Sequence, residues 1–201
     1  MNKNKLARTI IITFIAALCI GISINLYMKA GIGSDCITVF EEGLHKSLGI
    51  SLGWASVLYS VIFFGAAAFF AREYVGLNSI HFSLFVGPSI DLLTLIFDRI
   101  PSVQSLWIQM IFVMLAVVFI ALSATLLIVE GSGMNPYDSI ATWISDQTGK
   151  SYKLIRTIMD VSLLLIGWLL GGQVGIGTIL ASLTTGILIS YFVQTFKKVV
   201  K

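Results

Sequence analysis

The stretch that decides the fold is Leu106–Val129, LWIQMIFVMLAVVFIALSATLLIV. It runs for 24 residues without one charged side chain. About 20 apolar residues are enough for an α-helix to cross the roughly 30 Å hydrocarbon core of a bilayer. We therefore interpret it as a transmembrane helix and the chain as a membrane protein.

Composition extends this interpretation to the whole chain of 201 residues. Hydrophobic residues make up 57% and charged residues 11%, against about 45–50% and about 25% in soluble domains. This balance excludes an ordinary soluble enzyme, a nucleic-acid binder and a disordered chain. We predict an all-α protein that forms one polytopic membrane domain over residues 1–201. The lipid bilayer is the partner that this prediction implies. Besides Leu106–Val129, five further stretches have transmembrane character: Leu6–Met28, Leu52–Ala71, Ile80–Phe97, Leu154–Leu170 and Val174–Phe196.

The basic residues predict the orientation of these six transmembrane helices. With the N-terminus inside, ten Lys and Arg fall on the cytoplasmic side: Lys3, Lys5, Arg8, Arg72, Lys150, Lys153, Arg156, Lys197, Lys198 and Lys201. Only Lys29, Lys46 and Arg99 fall outside. Basic residues concentrate on the cytoplasmic side of membrane proteins, so both termini are predicted to be cytoplasmic.

The chain also contains an internal repeat. A shift of 100 residues aligns Gly31, Gly33 and Gly49 with glycines in the second half, and a shift of 99 aligns Val75-Gly76 with Val174-Gly175. The repeats cover residues 6–100 and 104–196, with three transmembrane helices each. Because three crossings is an odd number, the second repeat enters the membrane from the opposite side. Such inverted repeats are typical of many secondary transporters.

Each repeat carries one additional short helix. Gly31-Ile32-Gly33-Ser34-Asp35 and Gly131-Ser132-Gly133-Met134-Asn135-Pro136 provide flexible approaches and N-caps. Gly49 and Gly149 stand where a helix ends. Both helices are amphipathic, and two interpretations remain open. They dip into the membrane with their N-termini at a shared cavity, or they lie flat at its surface.

Two acids at membrane depth are candidate ion or proton sites, because an ionised carboxylate is costly there. Asp91 follows Pro88, and Asp160 follows Arg156 by four residues. The alternatives are that Asp91 lies in headgroup water and that Asp160 only neutralises Arg156.

Further candidates for substrate or ion binding come from the short helices and the first transmembrane helix. Asp35, Asn135 and Asp138 lie near the predicted helix tips. Asn25 lies deep in the first transmembrane helix, where it either lines a cavity or joins two helices.

Motifs of catalysis, metal binding and cofactor binding are missing from the sequence. It contains no His-x-x-x-His or Cys-x-x-Cys, and Cys19 and Cys36 are far apart in predicted depth. We therefore expect neither an enzyme nor a metal or cofactor site.

Gly31-x-Gly33 and Gly131-x-Gly133-Met-Asn-Pro-Tyr-Asp138, with Gly175-Ile-Gly177-Thr178, resemble the glycine motifs of the YczE/YyaS/YitT group of bacterial integral membrane proteins. The resemblance covers about residues 8–196 and is closest to the YczE branch. The first half departs from the pattern at Ser34-Asp35-Cys36. The resemblance implies a bacterial plasma-membrane protein and does not specify an activity.

Three functions fit these features. The first is a secondary transporter or permease for a small solute or ion, working by alternating access. The second is a non-transporting protein that serves as an assembly or accessory partner of a membrane complex. The third is a channel, although the sequence has no selectivity-filter motif. Glycine-rich helix faces also permit a homodimer.

Overall fold

The computed structural model describes residues 3–101, 103–131 and 135–199, so the predicted approach glycine Gly133 lies outside the described residues. Within these ranges the chain forms eight α-helices in two sets of four. They are α1 (Lys3–Ala30), α2 (Cys36–Leu48), α3 (Leu52–Phe70), α4 (Leu77–Phe97), α5 (Leu106–Glu130), α6 (Pro136–Thr148), α7 (Tyr152–Leu169) and α8 (Ile176–Val199).

The long helices agree with the predicted transmembrane stretches to within three residues at each end. Among the described residues, five helices are long and apolar enough to cross a membrane: α1, α3, α4, α5 and α8. Helix α7 has 18 residues but contains Lys153, Arg156 and Asp160, and it is not one of the five. The all-helical, multi-pass prediction is confirmed, and the sixth crossing stays a prediction.

Helices α1 and α5 pack along each other at the centre of the bundle, with α4 on α1 and α8 on α5. Small residues such as Ala30, Ala116 and Ala181 fill the contact between α1, α5 and α8. Two buried serines donate hydrogen bonds across the contact between α1 and α5. Ser23 Oγ donates to Ala116 O at 2.9 Å, and Ser123 Oγ donates to Ala16 O at 2.9 Å.

The two short helices have the caps that the sequence predicts. Asp35 caps α2 and Asn135 caps α6, each accepting a hydrogen bond from the backbone N–H two residues further on. Gly49 and Gly149 end the helices with φ of 67° and 66°, a left-handed conformation that glycine adopts without strain.

Each short helix packs against a long helix of the other half, α2 on α7 and α6 on α3. The contact between α2 and α7 depends on Gly167. A Cβ atom at Gly167 would lie 2.6 Å from Phe40 Cα, which is too close for any other residue. This approach lets the backbone of α2 between Val39 and Gly43 lie directly against the C-terminal end of α7, with Lys46 at Gly171.

Large apolar side chains cover much of the outer surface. Trp107 is 76% exposed and Leu169 is 78% exposed, and α3 and α8 present similar residues in Phe69 and Ile187. A soluble monomer rarely exposes so much contiguous apolar surface. Lipid tails are the natural contact for these faces.

Candidate functional site

The N-terminus of α2 reaches the polar face of α7. Asp35 accepts hydrogen bonds from Ile37 N at 3.2 Å and from Thr38 Oγ1 at 2.5 Å. The next residue, Cys36, lies close enough to Asp160 for the two side chains to interact electrostatically. The first turn of α2 therefore lies near the middle of α7.

The N-terminus of α6 reaches the same carboxylate from the other half of the chain. Asn135 Oδ1 accepts the Tyr137 N–H at 3.1 Å and so fixes the first turn. The Tyr137 side chain is completely buried, and its hydroxyl donates to Asp160 Oδ1 at 2.8 Å. Asp160 is thus the residue at which α2, α6 and α7 meet.

Arg156 supplies the positive charge at this point. Its Nε donates to Asp160 Oδ1 at 3.0 Å and to Oδ2 at 3.2 Å, and its other end pairs with Asp138. The guanidinium carbon lies 4.4 Å from the centre of the Tyr137 ring, a cation–π geometry. Tyr152 also donates to Asp138, at 2.9 Å.

We call these residues the tip cluster. Its carboxylates outnumber its cations, because Arg156 pairs with Asp138 and Asp160 and the cluster contains a third acid, Asp35. Asp35 and Asp160 are close enough to repel each other electrostatically. A cluster with this charge balance attracts a proton or a cationic group. The tip cluster consists of Asp35, Cys36, Tyr137, Asp138, Arg156 and Asp160.

Three buried hydroxyls add unused hydrogen-bonding capacity. Among the described residues, Tyr27, Ser34 and Tyr59 have side-chain oxygens without a hydrogen-bond partner, and they are 1%, 1% and 7% exposed. Tyr27 lies within electrostatic range of Asp35 and Cys36, and Tyr59 lies within range of Arg156 and Asp138. Buried polar groups normally have partners, so hydroxyls of this kind are suited to a polar ligand.

Aromatic rings form the apolar wall beside the cluster. Tyr59 packs between Phe40 of α2 and Phe63 of its own helix, with ring centres 6.3 Å and 4.6 Å away. Phe63 in turn meets Tyr137 edge-on at 5.0 Å. The polar tips of α2 and α6 therefore lie against one aromatic layer.

Two of the predicted site residues lie in different contacts. Asp91 accepts hydrogen bonds from Ser51 Oγ at 2.7 Å and from Gly53 N at 2.8 Å, and so holds the start of α3 against α4. Asn25 donates to Ile90 O at 3.2 Å and accepts from Thr94 at 3.0 Å, so it joins α1 to α4. The structure thus gathers Asp35, Asn135, Asp138 and Asp160 and places Asp91 and Asn25 elsewhere.

The far end of α2 is held by a separate set of polar contacts. Glu42 accepts the Gln173 backbone N–H at 2.8 Å and pairs with Lys46 at 2.5 Å. Lys46 also donates to Gly171 O at 3.2 Å. These contacts attach the C-terminal half of α2 to the connection between α7 and α8.

An open crevice of about 280 Å³ lies at the far end of α6, lined by Phe69, Arg72 and Trp143 among others. There the Tyr74 hydroxyl donates to Asp146. This hydrogen bond to an ionised carboxylate raises the pKa of Tyr74, because it stabilises the neutral phenol. The contact joins α6 to the connection between α3 and α4.

Sequence reasoning missed several cluster residues. It assigned Tyr137 to the apolar face of α6 and gave Cys36 no role. Tyr27 and Tyr59 lie within apolar stretches and carry no sequence signal of their own. The only available signal was the position of Cys36 and Tyr137 in the first turns of the two short helices.

Long apolar helices around a polar interior define a multi-pass α-helical membrane protein. The chain belongs to the family of unknown function DUF6198, whose model matches residues 7–194.

Its relatives in this comparison are also membrane or uncharacterised proteins. The chain is 26% identical to the "Uncharacterized membrane protein YczE" of Bacillus subtilis (strain 168), covering 87% of this chain and 79% of the relative. It is 27% identical to an "Uncharacterized protein" of Haemophilus influenzae, covering 93% and 84%. It is 25% identical to the "Uncharacterized protein YyaS" of B. subtilis, covering 92% of each. The resemblance inferred from the glycine motifs is therefore confirmed. No solved structure matches the chain.

Proposed function

We propose that the protein is a secondary transporter for a small solute, working by alternating access around the tip cluster. The observation that carries the proposal is the hydrogen bond from Tyr137 in the first turn of α6 to Asp160, with Cys36 in the first turn of α2 close by. Paired short helices that aim their N-termini at a shared polar site are the binding arrangement of several transporter folds.

Matched contacts support an inverted-repeat architecture for this transporter. The hydrogen bond from Gly175 N to Thr178 Oγ1 measures 3.3 Å, as does the bond from Gly76 N to Ser79 Oγ. Helix pairs correspond as well, with α1–α4 matching α5–α8 and α2–α7 matching α6–α3. In this proposal the two halves rock against each other about the contact between α1 and α5.

The proposal includes α7 as the sixth crossing. Its charged residues Arg156 and Asp160 face the tip cluster, while Ile158, Leu165 and Leu169 are exposed on its other side. A helix with charges inward and apolar residues outward suits a bundle that shields the charges from lipid. With six crossings both termini lie on the same side of the membrane, and the proposal takes this to be the cytoplasmic side of a bacterial plasma membrane.

The direction of the short helices favours dipping over lying flat. Helix α6 runs from Tyr137, whose hydroxyl meets Asp160 in the middle of α7, back to the start of α7. If α7 crosses the membrane, the N-terminus of α6 therefore lies well below the surface, and the proposed repeat gives α2 the same direction. The excess of carboxylates in the tip cluster favours a proton or a cationic solute over an anion. We propose binding and movement of this solute without chemical conversion.

Thermal unfolding of the purified protein in detergent tests the binding step. The probes are sodium, potassium, choline, guanidinium, neutral amino acids and a pH series. A ligand present at 100 times its Kd raises the free energy of unfolding by about 2.7 kcal/mol. We expect a cationic probe to stabilise the parent and not Asp160→Asn, while Asp146→Asn, at the α6 crevice, behaves like the parent.

Proteoliposome uptake of the stabilising probe then tests transport. Saturable uptake that Asp160→Asn abolishes supports the proposal, whereas uptake proportional to concentration indicates a channel. If no probe binds and the native protein purifies in a stable heteromeric complex, the accessory-partner hypothesis replaces the transporter.

A further inference from the structure

Glu41 is a buried acid that is separate from the tip cluster and not used in the proposal above. It lies on α2, five residues after Cys36, and the residue is 3% exposed. Its hydrogen-bond partner is Ser56 of α3, whose Oγ donates to Glu41 Oε1 at 2.7 Å. Among the residues that the structure describes, no Lys, Arg or His forms an ion pair with Glu41.

The surrounding charges do not compensate a negative charge at Glu41. On its own segment the ionisable neighbours are the acids Asp35 and Glu42, of which Glu42 is paired with Lys46, and His45 at i+4, whose Nδ1 hydrogen-bonds Ile50 O. On α3 the neighbour is Tyr59, whose buried hydroxyl has no partner and interacts electrostatically with both Glu41 and Arg156. Arg156 of α7 is already paired with Asp138 and Asp160.

A carboxylate buried without a cation is costly, whereas a neutral carboxyl with one hydroxyl partner is not. Ser56 and Tyr59 are three residues apart on α3, so both lie on the face toward α2. The neutral acid also gains an O–H donor, and the Tyr59 hydroxyl, which interacts electrostatically with Glu41, is a buried oxygen without a hydrogen-bond partner.

We propose that Glu41 is a proton-binding site and that the proton is the coupling ion of the transporter. While α2 and α3 are packed together at Glu41 and Ser56, the site holds its proton between the two helices. Separation of the two helices admits water, stabilises the carboxylate and releases the proton. The coupling role rests on the proposed transport function, whereas the protonation of Glu41 does not.

Infrared difference spectroscopy in lipid nanodiscs near neutral pH tests the protonation. The parent is expected to show a protonated-carboxyl C=O stretching band that Glu41→Gln lacks and that Asp146→Asn retains. Ser56→Ala keeps the acid but removes its partner, so the same band should shift in frequency. Ser56→Ala also decides the question if Glu41→Gln does not fold. The proposal is overturned if the protonated-carboxyl band is the same in the parent, Glu41→Gln and Ser56→Ala.

The pH dependence of thermal unfolding gives a second readout. If folded Glu41 holds a proton that the unfolded chain releases, the folded protein binds more protons and its stability falls as pH rises. Glu41→Gln mimics the neutral acid and removes this dependence. The melting temperature of the parent should therefore fall below that of Glu41→Gln at alkaline pH. If the melting temperatures of the parent and Glu41→Gln change with pH in parallel, the assignment of a proton to Glu41 is contradicted.

Uptake in proteoliposomes separates the two proposals. With a transported solute in hand, parent uptake should respond to an imposed pH gradient and Glu41→Gln uptake should not. A protonated Glu41 in a protein that moves no solute refutes the transport function alone. Solute uptake that is insensitive to pH, with no infrared band at Glu41, refutes the proton site alone.

Discussion

Ser23 and Ser123 make the same hydrogen bond in opposite directions. Each hydroxyl donates across the central contact to the carbonyl seven residues before the other serine, Ala116 and Ala16, and both distances are 2.9 Å. The residues are 100 apart in the sequence, the same offset as the matched glycines. An exchange of α1 and α5 by a two-fold rotation maps one bond onto the other.

Ser23→Ala and Ser123→Ala are expected to lower the free energy of unfolding by similar amounts, about 0.5–1.5 kcal/mol each. Each change removes one buried donor and leaves the acceptor carbonyl in its helix. Thermal unfolding in one detergent measures both variants. Ser162→Ala is the control, because the exposed Ser162 bonds within its own helix. Clearly unequal losses contradict the equivalence of the two bonds.

Gly167→Ala is expected to destabilise the protein by about 1–3 kcal/mol, because the new methyl group collides with the backbone of Phe40. The matched change is Gly65→Ala in α3, where a Cβ would meet no atom within 4 Å. Removing a helical glycine there should raise stability by about 0.5–1 kcal/mol. If both variants shift the melting temperature in the same direction, the close contact between α2 and α7 is contradicted.

Arg156→Gln is expected to cost about 1–3 kcal/mol, because it leaves Asp138 and Asp160 without their cation. The further change Asp160→Asn in this background should recover part of the loss, since it removes one unpaired carboxylate. A double-mutant cycle on unfolding free energies measures the coupling. Arg72→Gln, at an exposed residue just after α3, serves as the control. Additive losses mean that the pair does not interact.

Ser47→Cys and Gln147→Cys are expected to be labelled from opposite sides of the membrane. These exposed residues lie at equivalent positions near the ends of α2 and α6, and inverted repeats place those ends on opposite faces. The background carries Cys19→Ser and Cys36→Ala. An impermeant maleimide on whole cells should react with the residue at 47, and with the residue at 147 only after permeabilisation. Labelling of both from one side excludes the inverted topology.

Local structure followed closely from the sequence. Helix ends came from apolar runs and caps, so α2 begins after Asp35 and α6 begins at Pro136 as predicted. These features depend on neighbouring residues alone, because capping and glycine turns are decided within one helical turn.

The composition of the site did not follow, because it depends on contacts between distant parts of the chain. Cys36 meets Asp160 across 124 residues, and nothing local to either residue indicates the pairing. Asp91 and Asn25 show the same dependence on distant contacts. The sequence left open whether Asn25 lines a cavity or joins two helices, and whether Asp91 binds an ion or lies in headgroup water. Neighbouring helices supply hydrogen-bond partners for both side chains. Polarity at depth identifies a residue that needs a partner and does not identify that partner.

The contacts of Glu42 and Lys46 with the α7–α8 connection hold the C-terminal end of α2, so a tilt about that end displaces the N-terminal end most. Asp35 lies 11 residues from Lys46, which is about 16 Å of helix. A tilt of about 5° about Lys46 moves the backbone at Asp35 by about 1.4 Å, given that helix length. A displacement of this size changes the separation of Cys36 from Asp160, while the hydrogen bonds at Lys46 scarcely change.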